Sequence, residues 1–546
     1  SAISGSLTVN MAYECNNPST CAGDTDLVVA ASGSQSLTGA NSVGSLTYQG
    51  VAMSFDADGV ASFSLNYAEA GQITLHATTT VAASGSNPSF TLAGSSNAFW
   101  VRPDSLQVTA ETSVGSTTLN ASSASATPTQ NTGGNFEFIV SGVNASGAVT
   151  EYYSPGNIQL KLTRTGPSSG GVEGDLTYAG AGVLSTVLSG ASFTDATLTS
   201  FVSGVSTYSG ATYSEVGLIS VDIKDTNYGS GITIPAPGGV AIGRFIPDHF
   251  ILSTSSANGG SIGAFENACN GYTYIGQPFS FVAGSEPDIA VIPLDAGDAV
   301  LSNYIGSFNR LISATTPVSF ESALTSGNLG VDGTNNILVV ANHDDSVTLA
   351  EGSGAYIGST IMTLNSLDRF TFTRNNNAEV VPFFVSLPLS ITGVVDQDNV
   401  KAEESGVELS AASAFSFTPS GATAEQRFGR FRLENAFGPE TAALGLPVNA
   451  EYLTGDGFVI NTSDNCTSLT AANFDLNVID DDAIDDDGDA STDNPAAGDI
   501  TNIVIDASIT NASLGDPFSS GTAGFSFSAP GAGATAAIEV QLLDSV

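Results

Sequence analysis

The sequence predicts an all-β protein: immunoglobulin-like β-sandwiches in tandem, forming an elongated array. Three observations point there. Apolar residues recur at every second position along the chain, as in Phe136, Phe138 and Val140 of "GNFEFIVSGVNASG". Gly is frequent (60 residues) and Lys and Glu are scarce, which disfavours helices and favours short strands joined by turns. The 546 residues exceed what one core can organise, so several domains are expected.

Taken in order, the elements read as follows. Val60, Phe63, Leu65 and Tyr67 fall near one register, a turn follows at Glu69 to Gly71, and Ile73 and Leu75 resume, which predicts a hairpin. "VRPDSLQVTA" (101–110) is echoed by "FIPDHFILST" (245–254), where an aromatic and basic stretch leads through Pro-Asp into a strand. Each is expected to open a new sandwich. The blocks after them also match: "NFEFIVSGVNASGAVTEYYSPGNIQLKL" and "PFSFVAGSEPDIAVIPLDAGDAVLSNYIGSFNRL". A polar, turn-rich break follows at "VVDQDNVKAEESGVELS". The expected domains are therefore 1–100, 101–244, 245–405 and 406–546. "GFSFSAPGAG" and "AAIEVQLLDSV" read as the last two strands. The best short helix candidate is "TAEQRFG", with nothing longer than two turns.

Charge narrows the function. The net charge is −42, from 54 acidic against 12 basic residues. A polyanionic partner needs Lys and Arg to release its counterions, so nucleic acid is excluded, as is docking on an anionic membrane surface. No apolar run is long enough to insert into a membrane. The start at Ser1, without a leader, is expected to reflect processing or a fragment. Cys15 and Cys21 close the small loop "CNNPSTC", while Cys269 and Cys466 stand alone. His76, His249 and His343 are too scattered to complete a zinc site. Two disulfides, Cys15–Cys21 and Cys269–Cys466, are the preferred reading, and they imply an oxidising compartment.

Catalytic signatures are weak. GxSxG occurs around Ser168 and Ser261, but neither precedes a helix, as a nucleophile elbow must. Trp100, the single Trp, suits interdomain packing better than a sugar platform, and His249 at a boundary reads as structural. Arg427, Arg430 and Arg432 form a basic cluster in "QRFGRFRLENAFG". On a strand, Arg430 and Arg432 face outward and Phe431 and Leu433 inward. They either neutralise neighbouring acids or contact an acidic partner or another copy of the chain.

The stretch "DDDAIDDDGDASTDNP" holds eight aspartates. An EF-hand does not fit: with Gly488 at the sixth loop position, the first would be Ala483 and the twelfth Asn494. Asp485, Asp487, Asp489, Ser491 and Asp493 recur at alternate positions, which brings their oxygens to one side. The loop either binds Ca²⁺ there or is solvated. "DQDN" (Asp396, Asp398, Asn399) is a weaker second Ca²⁺ candidate.

"GRFIPDHFIL", followed by "NACNGYTYIGQPFSF" and "LSNYIGSFNRL", resembles the MshQ family of the mannose-sensitive haemagglutinin type IV pilus system. "AGQITLHA", "SSNAFWVRPD", "YSEVGLISVDI", "GRFRLENAFGPE", "LPVNAEYLTGDGFVINTSDNCTSL" and "FSFSAPGAG" extend the resemblance in order over nearly the whole chain. It implies a secreted or surface-exposed protein of a Gram-negative bacterium, associated with pilus proteins, and matches the family's cysteines at Cys15, Cys269 and Cys466. Relatives usually carry a lectin-like domain upstream and a tryptophan-containing end. The expected function is a non-enzymatic structural or adhesive role in a pilus or surface filament. The alternative is a self-polymerising filament subunit, jointed through the edge-like strands "LTVNMAYE" and "AAIEVQLLDSV".

Overall fold

The computed structural model describes residues 4–21, 27–83, 88–180, 182–229, 231–312, 314, 318–321, 329–330, 336–337, 339–342, 347–365, 367–373, 379–439, 441–469, 473–479, 505–506, 518–527, 529 and 537–542. Among these residues the chain is all-β, and its helical turns are three-residue 3-10 turns such as Ser256–Asn258.

In the first sandwich, strand Gly5–Asn17 pairs with Gln49–Phe55 and with Gly71–Val81. Its alternate residues Val9, Met11, Tyr13 and Cys15 are buried against Leu27, Val29 and Leu37 of a facing three-stranded sheet. The "LTVNMAYE" segment is therefore interior to its sheet, not an edge. The expected hairpin at 60–75 is also different. Ser64–Tyr67 pairs with Leu27–Ala30 in one sheet, while Gly71–Val81 lies in the other. The turn at Glu69 is a crossover between layers, because alternation reports which face is buried and not which strand is the neighbour.

The second sandwich orders Ser105–Thr112, Phe136–Val143, Val205–Tyr213, Asp175–Ala179 and Gly182–Ser185 in one sheet. The other contains Val240–Ile246, Gly217–Tyr228 and Ile158–Gly166. Phe136, Phe138 and Val140 are buried, as their alternation requires.

The third sandwich repeats the opening of the second. Strand His249–Ser253 pairs with Asp288–Leu294 as Ser105–Thr112 pairs with Phe136–Val143. The Pro-Asp echo has a shared geometry: Asp104 N–H donates to Val143 O, and Asp248 N–H to Leu294 O, both at 2.9 Å. The turn that follows is shared too. Asn144 Oδ1 accepts the N–H groups of Ser146 and Ala148, and Asp295 Oδ1 those of Gly297 and Ala299. The same side-chain turn recurs at Asp56 and Asp396, so one local chemistry closes a bend in each of the first three sandwiches. Several short sheets in the third unit are drawn together by Phe265, Phe279, Phe281 and Phe370, whose ring centroids lie 5.3–5.8 Å apart.

Strands hand over between the first and second units at Val101 and Ser105, and between the second and third at Ile246 and His249. The expected cut at 405 falls inside the third unit. Val407–Glu408, Phe415–Phe417 and Glu425–Arg427 all still pair within it, and the fourth begins at Gly429. "TAEQRFG" is a strand rather than a helix: Gln426 is fully buried between Thr273 and Phe383. Pairing on both sides outweighs the local helical preference. The fourth unit pairs Gly429–Leu433, Leu444–Thr454 and Thr522–Phe527, with Phe474–Ile479 against Ala537–Leu542.

Candidate functional site: the domain junctions

Several of the chain's buried polar residues sit between its domains. At the first junction, Glu69 on the crossover is buried and accepts the N–H groups of Glu151 and Tyr152 from the second unit, each at 3.2 Å. Asn144 Nδ2 donates back to Ala68 O at 3.1 Å. Trp100 stands edge-on to Tyr228, with ring centroids 5.4 Å apart, and the Tyr228 hydroxyl donates to Val101 O. Trp100 is thus an interdomain residue.

The second junction is built on a shared apolar core. Ala121, Val216, Leu218 and Ile246 of the second unit share one core with Phe250, Tyr304 and Phe308 of the third. Arg244, 2% exposed, donates Nη1 and Nη2 to the two oxygens of Asp398 at 2.5 and 2.7 Å, and Nε to Ala126 O at 3.0 Å. Arg310 Nε lies 3.8 Å from the same carboxylate. The turn presenting Asp398 is fixed by Asp396, whose Oδ2 accepts the Tyr304 hydroxyl at 2.8 Å. The "DQDN" carboxylates are therefore engaged by Arg244 and Tyr304, which replaces the cation reading of that motif. Alongside, Asn303 is fully buried and clasps Val172, donating to its O at 2.9 Å and accepting from its N–H at 2.7 Å.

Glu215 completes this junction by accepting the N–H groups of Ser302 and Asn303. Burial pushes its carboxyl up to about 7, against the opposing pull of those N–H groups, that of Val216 and the charge of Arg164. A carboxyl raised on folding stabilises fully below its unfolded value, ordinarily 4.5, and that contribution is lost as pH rises through about 7. Between about pH 5 and about pH 8 the wild type should lose roughly 2 kcal/mol of stability that Glu215→Gln does not lose. Parallel urea unfolding of both proteins across that range measures it, and identical pH slopes would refute the assignment.

The third junction is covalent. Cys269 of the third unit is bonded to Cys466 of the fourth, and Cys15 to Cys21 within the first. The Tyr274 hydroxyl donates to Asp464 at 3.0 Å and accepts from Asn461 Nδ2 at 2.7 Å. Arg427 Nη1 donates to Asn461 at 2.6 Å, and its guanidinium lies between the rings of Tyr272 and Tyr452. Arg427 is therefore turned into the junction, which corrects its reading as a partner contact. Arg430 and Arg432 face outward as expected, but both pair with the buried Glu451 across the strand, and Arg430 also covers Phe458. Asp485, Asp487, Asp489, Ser491 and Asp493 lie outside the described residues.

The sequence did carry one signal for these junctions. Arg244 interrupts the apolar run of Val240–Ile246, and a cation inside a buried strand demands a buried anion. Nothing local marks Asp398 as its partner, or Glu215 and Asn303 as junction residues.

Sheets in two layers, repeated along the chain and clasped at each join, define a serial immunoglobulin-like β-sandwich protein. The chain belongs to the family described as DUF6701, a domain of unknown function. The model of its first Ig-like domain matches residues 1–95, that of its third domain 215–421, and that of its fourth 427–545. The join of the last two matches falls near the handover at Arg427 and Gly429, and the third match begins inside the second sandwich. No curated protein matches the chain. Among solved structures, the Escherichia coli adhesin FdeC is similar at 11% identity over 74% of this chain and 85% of that one, with a TM-score of 0.26, too loose a superposition to carry an argument.

Proposed function

We propose that this chain is an extracellular, non-enzymatic spacer of a bacterial surface: an MshQ-like structural or adhesive protein, associated with a pilus or surface filament, that holds its ends at a fixed separation. The observation that carries this reading is the set of junctions. Each join between successive sandwiches is clasped by buried hydrogen bonds, a buried ion pair or a disulfide. Domains that act independently need no such clasps, and relative motion is the default where interfaces are small. The two disulfides support an oxidising location outside the cytoplasm. Catalysis is no part of the reading, because the buried polar groups at the junctions are engaged in joining domains.

Small-angle scattering with electron microscopy of the purified chain tests it. A single stiff particle approaching roughly 150 Å in length is expected. A compact globule, or units tumbling independently, would overturn it. Fibres forming at high concentration would favour the filament-subunit alternative. One joint proposed for that alternative is already engaged within the chain, since strand Gly5–Asn17 pairs with Gln49–Phe55 over Gly5–Met11 and with Gly71–Val81 over Asn10–Asn17.

A further inference from the structure

The outermost strand of the larger first-domain sheet is Phe90–Ser95. It pairs with Gly71–Val81 on its inner side, and among the described residues no strand pairs with its outer side. All six of its residues are exposed, including Phe90 (48%) and Leu92 (47%), which share one face. Sheet edges are ordinarily protected by charge, by Pro or by a covering element. Other open edges here carry charge, such as Glu111 on Ser105–Thr112, Glu351 on Val347–Glu351, and Arg430 and Arg432 on Gly429–Leu433. This one carries none. From Ala77 to Val101 there is no Asp, Glu, Lys or Arg, in a chain of net charge −42.

We propose that the Phe90–Ser95 edge is a self-association site, pairing antiparallel with the same edge of a second copy of this chain. Charge argues for that occupant. Two chains of net charge −42 repel over most of their surfaces, and an uncharged edge is where they approach at least cost. Symmetry argues for it as well. A two-fold axis normal to the sheet, passing midway between the Thr91 residues of the two copies, sets Phe90 of each copy opposite Leu92 of the other, all on one face. Both open edges close in a single step, with two aromatic–aliphatic cross-strand pairs. The resulting sheet runs continuously through two first domains and joins two molecules side by side.

Sedimentation velocity of the full chain over a range of protein concentrations, at about 0.02 M and about 0.3 M NaCl, tests the site. A monomer–dimer equilibrium is expected that tightens with salt, because screening weakens the residual repulsion between like-charged copies. Leu92→Glu should raise the concentration for half-dimerisation by about tenfold or more, with the melting temperature unchanged because residue 92 is exposed. Val114→Glu, at another exposed apolar position, should leave the equilibrium as it is. A monomer under every condition, or a dimer that survives Leu92→Glu, would overturn the proposal.

Discussion

Arg244→Met should destabilise the protein by roughly 3–5 kcal/mol and separate the unfolding of the second and third domains. The guanidinium, itself buried, supplies two charge-assisted hydrogen bonds to the mostly buried Asp398 and one to Ala126 O. Met fills the volume but leaves a buried carboxylate with only Arg310 beside it, at 3.8 Å. The cost lies mainly in that uncompensated charge, so Arg244→Met combined with Asp398→Leu should recover much of the loss. Chemical unfolding followed by domain-specific probes measures both. If the single variant unfolds in one transition at the wild-type midpoint, the pair does not couple the domains.

Reducing the Cys269–Cys466 bridge, or replacing both cysteines with Ser, should cost about 2–5 kcal/mol and let the fourth domain melt separately from the third. The bridge spans 197 residues of sequence, so its removal restores much freedom to the unfolded chain. Tyr274, Asp464, Asn461 and Arg427 remain in contact without it, and the two domains should still dock below the first transition. Calorimetry of the oxidised, reduced and double-Ser proteins checks this. A single unchanged transition in all three would show that the noncovalent contacts suffice.

The fold was legible wherever it depends on local pattern. Alternation at Phe136, Phe138 and Val140 places a buried strand, and the Pro-Asp echo places the openings of two sandwiches with the same backbone hydrogen bond. Legibility failed where identity depends on a distant partner. The segment from Val60 to Leu75 alternates like a hairpin but distributes its strands between two layers. Glu425–Arg427 has helical composition and is a strand because Thr273–Tyr274 and Phe383–Phe384 flank it. The cut at 405 followed a polar turn, yet such turns also occur inside these sandwiches, as Asp56 and Asp295 show. The junctions were the least legible part, since Glu215 meets Ser302 and Arg244 meets Asp398 only after folding.

The third junction also decides which part of the chain would bear a mechanical load. Pulled from its two ends, the polypeptide transmits force along its backbone as far as Cys269 and then across the sulfur bridge to Cys466. Everything between them is bypassed. The strands from Asp288–Leu294 through Leu444–Thr454 hang from the load path as an unloaded loop, so they are shielded from stretching while the bridge is intact. The hidden contour is roughly 650 Å at about 3.3 Å per residue. A reductant therefore acts as a release catch on extensibility: oxidised, the segment between the two cysteines stays out of the line of tension, and reduced, that slack joins it.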